Sequence, residues 1–127
     1  MMRGFRGATT ISKNDEHEMM ENTRTLVEEM VNVNNINVSD ISHVFFSVTA
    51  DLNAGFPAKS VREMPGWSHV PVMCMTEIDV PNSLPKCIRV MLIAKTDLDQ
   101  DAVQHIFHND AIKLRPDLAA KEGETNK

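Results

Sequence analysis

The hydrophobic residues of this chain occur in short runs separated by polar connections. The runs at Ile41–Val48, residues 70–75 and Cys87–Lys95 are apolar and bounded by polar or turn-forming residues, which is typical of buried strands. Met2–Thr10 alternates more loosely and predicts a first strand, and residues 111–114 predict a last one. The pattern therefore indicates a sheet.

Three helices are predicted between these runs. From Asn14 onward, acidic residues precede apolar side chains at helical spacing, and this pattern predicts the longest helix. Pro57 suits the first position of a second helix, which the Pro65-Gly66 pair ends after about residue 64. Residues 99–107 place apolar side chains on one helical face and predict a third helix.

The order of these elements predicts an α+β fold in which helices cover one face of a mixed sheet. The other face then needs a cover. A chain with so few helices most simply buries that face against copies of itself in a closed symmetric oligomer. We expect a single domain over residues 1–118 and a flexible polar tail over residues 119–127.

Composition and charge exclude several classes of function. The 127 residues are 42% hydrophobic and 24% charged, as in one ordinary globular domain. The formal net charge of -5 argues against nucleic acid and against anionic membranes as partners, because both need a basic surface. The chain has no apolar run of about 18 residues, and its first ten residues lack the apolar region of a signal peptide, so we expect a cytoplasmic protein.

The cysteines and histidines form no metal or disulfide pattern. Cys74 and Cys87 lie in apolar segments of a chain without a secretory signal, so free thiols are expected. The histidines lack zinc-ligand spacing with them, and no nucleotide-binding fingerprint occurs, so we expect neither a metal nor a cofactor. A nucleophilic role for Cys74 is disfavoured, because its neighbours are apolar and no histidine is near it in sequence.

Three charges stand within or beside apolar strand-like segments: Arg6, Glu77 and Arg89. Burying an unpaired ion is costly, so each of them either reaches solvent, pairs within the fold or faces a shared pocket. Together, two guanidinium groups and one carboxylate leave a positive excess that suits a dianion, since the arginine fork can hold a carboxylate through two hydrogen bonds. Three more basic residues would either extend this attraction at the rim or remain solvated: Lys59, Arg62 and Arg115.

Several blocks of the sequence resemble the monofunctional chorismate mutases of the trimeric type, as distinct from the all-helical type. The blocks are collinear over about residues 1–118: RGATT from Arg6, TADLNAGFPAKSVRE from Thr49, VPVMCMTEIDV from Val70, KCIRVM from Lys86 and LRPDL from Leu114. The resemblance implies an isomerase that converts chorismate to prephenate in phenylalanine and tyrosine biosynthesis, without a cofactor. It also implies a homotrimer whose sheets form a pseudo α/β barrel around the three-fold axis, with an active site at each subunit interface.

The resemblance assigns roles position by position. Arg6 and Arg89 correspond to the arginines that hold the substrate carboxylates, and Arg89 also reaches the ether oxygen. Glu77 and Cys74 correspond to the pair at the ring hydroxyl. The segment that lines the pocket from the neighbouring subunit corresponds to Phe56, Ala58 and Lys59. The edge and the C-terminal cover of the pocket correspond to Arg62, Leu114 and Arg115.

This chain also departs from the family pattern. Phe107 stands where the family has a tyrosine whose hydroxyl touches a substrate carboxylate, so that hydrogen bond is expected to be missing. Met73 replaces a threonine beside the thiol of Cys74, and Pro81 and Pro85 stiffen a loop expected to be richer in glycine. None of these changes touches the two arginines and the glutamate.

Two other functions are compatible with the same residues. An imine-hydrolysing deaminase on a similar trimeric scaffold would also keep an arginine for a carboxylate, but it would not need Glu77 and Arg89 together. A non-catalytic sensor would bind an aromatic-pathway metabolite without converting it. The chain offers charged groups and no evident acid–base machinery, which favours a reaction catalysed by electrostatic stabilisation.

Overall fold

The computed structural model describes residues 1–114, and their strands form one mixed sheet. The strands are β1 (Met2–Thr10), β2 (Ile41–Val48), β3 (Val72–Thr76), β4 (Cys87–Lys95) and β5 (Ile106–Phe107). Their order across the sheet is β3-β2-β4-β1-β5. β1 and β2 run antiparallel to β4, whereas β3 is parallel to β2 and β5 is parallel to β1.

The α-helices within residues 1–114 are α1 (Glu16–Val33) and α2 (Ala58–Arg62). α1 begins after Asp15, whose carboxylate accepts a hydrogen bond from the Glu18 N–H at 2.9 Å and so caps the helix. α2 is shorter than the sequence predicts, because its last turn tightens and the Met64 N–H donates to the Val61 carbonyl, only three residues back. Neither helix has the length and apolar character needed to cross a membrane.

Two predicted elements are wrong. Residues 99–107 contain a 3-10 turn (Gln100–Ala102) and then β5 instead of a helix, and Asn109–Leu114 is a 3-10 helix instead of a strand. Ile106 packs into the main core, whereas Phe107 packs into a smaller cluster with Ala8. A few apolar residues at helical spacing do not distinguish a helix from a short strand docked on a sheet edge.

Both helices cover the same face of the sheet, as predicted. The core beneath them contains Phe5, Phe46 and Leu92, each fully buried. α1 approaches β1 so closely that a Cβ atom at Gly7 would overlap the sulfur of Met30. Glycine at this position therefore permits the contact between the helix and the sheet.

The opposite face of the sheet carries large apolar side chains that remain substantially exposed. Phe45, Met73, Met75 and Met91 are between 37% and 59% exposed. Phe45 pairs with Met91 on one side and with Met73 on the other, so three of these side chains are neighbours across three strands. We call this group the apolar face. A contiguous exposed apolar surface of this kind is typical of an interaction site.

Candidate active site

A cavity of about 580 Å³ opens on the same side of the sheet as the apolar face. Its walls contain Arg6, Glu77 and Arg89, the three charges that the sequence singled out. Phe107 and Leu114, which the resemblance placed at the pocket, also line it. The fold thus brings together charges from separate strands in one largely apolar cavity.

The strand register explains this convergence. A single row of paired residues crosses the whole sheet and lines the cavity: Met75, Ser47, Arg89, Ala8 and Phe107. Side chains at paired positions lie on the same face of a sheet, so all five lie side by side at the cavity.

Arg6 and Glu77 flank this row. Arg6 lies two residues before Ala8 on β1, and therefore on the same face. Glu77 follows the end of β3, where its backbone N–H donates to the Val48 carbonyl at 2.8 Å and continues the pairing with β2. This extension directs Glu77 to the same face as Met75, two residues earlier.

Three contacts hold the Glu77 carboxylate. Its Oε2 atom lies 3.2 Å from Arg89 Nε and accepts a hydrogen bond from the Ser47 hydroxyl at 3.0 Å. Its Oε1 atom accepts a hydrogen bond from the Ile78 N–H at 3.2 Å. Ser47 is a site residue that the sequence analysis missed, since only the register of β2 against β3 shows that it faces Glu77.

Arg89 is close to Glu77, but its Nε–H is not directed at the carboxylate. This buried nitrogen lies within ion-pair distance of Glu77, yet it makes no hydrogen bond within the described part of the chain. A buried donor without an acceptor is unfavourable. The Nε–H of Arg89 is therefore an unsatisfied donor beside the cavity, while the Arg89 side chain as a whole is 39% exposed.

Cys87 lies two residues before Arg89 on the same face of β4, and it is buried. Burial raises the pKa of the Cys87 thiol, although the positive charge of Arg89 acts in the opposite direction. The thiol beside Arg89 is therefore neutral at physiological pH. Cys87 was not placed at the site by the sequence analysis, although its position two residues before Arg89 in a predicted strand implies that both side chains lie on one face.

Cys74, which the resemblance paired with Glu77, directs its side chain to the other face of the sheet. It pairs with the buried Phe46 and packs against the core beneath the helices. The thiol of Cys74 therefore does not point towards the cavity, and only the backbone of this residue could contact a molecule there. Met73 lies on the pocket side and pairs with Phe45, but it is not among the described walls of the cavity.

The segment around α2 does not contribute to the described walls of this cavity. Ala58 is buried in the core of its own chain, whereas Phe56, Lys59 and Arg62 are exposed. These side chains are thus free to contact another molecule. Arg115 lies outside the described residues.

The charges in the cavity suit an anion better than a metal ion. Two guanidinium groups and one carboxylate are found among its described walls, and guanidinium groups bind carboxylates well. Across residues 1–114, no group of three or more histidine, cysteine, aspartate or glutamate side chains is arranged to hold a metal ion.

Comparison with known proteins identifies the family. The family model described as chorismate mutase type I matches residues 2–118. The chain belongs to this family. It is 45% identical over 119 residues to chorismate mutase AroH of Bacillus subtilis (strain 168), with 94% of each chain covered. It is also 38% identical over 123 residues to chorismate mutase AroH of Thermus thermophilus, with 96% of this chain and 100% of that protein covered.

A solved structure supports the same assignment. The chorismate mutase from Clostridium thermocellum is similar to this chain with a TM-score of 0.83 and 46% sequence identity, over 86% of this chain and 96% of that one. The mixed α+β fold is therefore the fold of a chorismate mutase. The resemblance that the sequence blocks indicated is confirmed.

Proposed function

We propose that this chorismate mutase converts chorismate to prephenate in the cavity between Arg6, Glu77 and Arg89, by electrostatic stabilisation alone. The observation that carries the proposal is the convergence of these three charges in one cavity with largely apolar walls. Membership of the family favours the isomerase over an imine deaminase or a metabolite sensor.

The two arginines fit the charge of the substrate. Chorismate carries two carboxylates, and each arginine fork can hold one of them through two hydrogen bonds. Arg6 would bind one carboxylate, and Arg89 would contribute to the other and also reach the ether oxygen. The Arg89 side chain is 39% exposed and lines the cavity, which supports this role.

The rearrangement breaks one carbon–oxygen bond while it forms one carbon–carbon bond, so no proton has to move. In the transition state, negative charge gathers on the ether oxygen and positive charge on the ring fragment. Arg89 would stabilise the first and Glu77 the second, and both are already held in place before the substrate binds. Preorganised charges aimed at developing charge lower the barrier without reorganisation.

The magnitudes are compatible with this mechanism. A rate acceleration of about a million-fold corresponds to about 8 kcal/mol. Removing one preorganised donor from such a site typically costs about 2.7–4 kcal/mol. Arg89, Glu77 and the enforced compact conformation of the substrate can therefore supply the required stabilisation together.

A homotrimer would complete the site. The four side chains of the apolar face are 37% to 59% exposed, as is typical of an interaction surface, and three of them line the cavity. Packing three such faces around a three-fold axis would bury them as a pseudo α/β barrel. The α2 segment of a second copy, with exposed Phe56, Lys59 and Arg62, would then line each pocket from the neighbouring subunit.

The composition also fits an enzyme of the cytoplasm. Both cysteines, Cys74 and Cys87, are free thiols. Unpaired cysteines are typical of proteins from a reducing compartment. Aromatic amino-acid biosynthesis is the pathway that this location and the proposed reaction would serve.

The decisive experiment follows the loss of chorismate absorbance with purified protein and identifies the product as prephenate. The wild-type chain should convert chorismate, and an Arg89→Ala variant of the same fold should not. Lack of conversion by folded wild-type protein would favour a metabolite-binding role. Equal conversion by both proteins would remove Arg89 from the mechanism.

The trimer can be tested by mass and by subunit mixing. Light scattering should give about three times the chain mass of 14.3 kDa. Arg89→Ala and Arg62→Ala variants should each be impaired. In trimers mixed from equal amounts of the two, about a quarter of the pockets should be intact, because one subunit then supplies Arg89 and its neighbour supplies Arg62. No recovery after verified subunit exchange would argue against shared pockets.

A further inference from the structure

The backbone N–H of Arg6 has an unusual partner. It donates a hydrogen bond to Nδ1 of His105 at 2.9 Å, instead of to a carbonyl of a neighbouring strand. β5 pairs with β1 only at Gly7 and Ala8, so His105 lies immediately before the point where pairing begins. The imidazole ring takes the place of a strand neighbour at this edge.

The geometry of β1 explains why an acceptor is needed there. Successive residues of a strand present their N–H groups alternately to the two sides. The carbonyl of Ala8 accepts the His108 N–H at 2.9 Å, so the backbone N–H and C=O of Ala8 point towards β5 and not towards β4. The backbone N–H of Arg6, two residues earlier, points to the same side. A partly buried N–H without an acceptor would be unfavourable there.

His105 is itself fixed from both sides. Asn34, at the end of α1, is buried, and its side-chain amide donates to the Gln104 carbonyl and accepts the Gln104 N–H, each at 2.9 Å. The same amide group donates to the Met30 carbonyl of α1 at 2.9 Å. The residue before His105 is thus tied to the helix, and the residue after it is in β5. This arrangement holds the ring against Arg6.

We infer that His105 is a positioning residue for Arg6. Its Nδ1 atom, as an acceptor, fixes the backbone of Arg6 so that the guanidinium group enters the cavity in a constant position. The inference rests on the proposed role of Arg6 as a ligand of a substrate carboxylate. Because Arg89 and not Arg6 is assigned to the ether oxygen, losing this hydrogen bond affects substrate binding more than turnover.

Two matched variants of His105 separate the effect of the hydrogen-bond acceptor from the effect of the shape of the ring. His105→Phe keeps a planar ring but removes the acceptor. His105→Asn replaces the ring but keeps an acceptor, since Oδ1 of asparagine is three bonds from Cα, as Nδ1 of histidine is. We expect the phenylalanine variant to raise KM about three- to tenfold with kcat changed less than about twofold, and the asparagine variant to restore most of the KM.

Arg6→Lys, measured in parallel, tests the proposed role of Arg6 separately from the inferred role of His105. If this variant leaves KM unchanged, the proposed role of Arg6 fails. If it raises KM while His105→Phe does not, the role of Arg6 stands and the inference about His105 is overturned. Equal losses in both His105 variants would also overturn it, because a purely structural role predicts no rescue by asparagine.

Amide hydrogen exchange tests the same contact directly, first in the wild-type protein and then in the two His105 variants. The Arg6 amide should be protected from exchange in the intact assembly. It should exchange faster in His105→Phe than in His105→Asn. Free exchange of the Arg6 amide in the wild-type protein would contradict the hydrogen bond and the inference.

Discussion

Arg89 and Glu77 form an ion pair, with Nε and Oε2 3.2 Å apart, in which both partners remain partly open to the cavity. The pair reduces the cost of placing each charge in largely apolar surroundings. It also keeps a positive and a negative group side by side, which matches the charge separation of the proposed transition state. The same contact would thus serve both the fold and the proposed chemistry.

The Arg89→Lys variant tests whether geometry or charge alone matters at this position. Lysine keeps the charge but lacks the planar fork and its Nε–H donor. We expect kcat to fall by about a hundredfold or more. Chorismate consumption would be measured with circular dichroism as a check on folding. Turnover near that of the wild type would refute the assignment of Arg89.

Ser47→Ala tests the support of the Glu77 carboxylate. Its hydroxyl donates to Oε2 at 3.0 Å, and removing it leaves the carboxylate less firmly oriented. We expect kcat/KM to fall about three- to tenfold, because Ser47 acts only through Glu77 and only part of the roughly 1.5–3 kcal/mol of a hydrogen bond to a charged group is lost in the transition state. Glu77→Gln, which removes the charge itself, should lose more. A Ser47→Ala enzyme with unchanged kinetics would show that the hydroxyl does not orient Glu77.

Turnover should be almost independent of pH between about pH 6 and 8, because the proposed mechanism transfers no proton. Burial raises the pKa of Cys87, so this thiol beside Arg89 stays protonated across the range and adds no new charge to the site. The measurement is kcat at saturating chorismate in buffers of constant ionic strength. A steep bell-shaped profile would indicate acid–base catalysis instead.

Phe107→Tyr would restore the hydroxyl that the family resemblance led us to expect. Phe107 lines the cavity in the same row as Arg89, so a hydroxyl at the end of its ring would reach the substrate region. We expect KM to fall by about tenfold or more through a hydrogen bond to a substrate carboxylate. An unchanged KM in a correctly folded variant would show that the tyrosine of the family has no binding role here.

Gly7→Ala should destabilise the fold by about 1–3 kcal/mol, because the added methyl group would overlap Met30 in the packed core. Gly4→Ala is the matched control, since its added Cβ meets only the sulfur of Met91, at 3.3 Å, on the other face. Chemical denaturation of both variants gives the comparison. Equal stability of the two would mean that the side chains of Met30 and Leu26 can repack around the methyl group without cost.

The sequence predicted the long elements well and the short ones poorly. β1, β2 and β4 have the predicted bounds, because each is an apolar run ended by polar or turn-forming residues. Residues 99–107 were assigned the wrong structure, because β5 has only two residues and depends on docking against β1. Short edge elements owe their conformation to their neighbours more than to local propensity.

At the candidate active site, too, some residue positions follow from local sequence patterns and others do not. Strand alternation alone implies that Cys74 and Glu77, an odd number of residues apart, direct their side chains to opposite faces. The contact of Ser47 with Glu77 spans 30 positions, and that of Arg6 with His105 spans 99. No local pattern contains information about such pairs.

By itself, the sequence determined the family, the charges available for catalysis and the segments that form the long strands and helices, because these depend on residue type and local periodicity. Only the tertiary structure decided which of those residues meet. The register of a strand is set by the packing of a whole face and by distant hydrogen-bond partners, so the row through Ser47, Arg89 and Phe107 exists only once the sheet has formed.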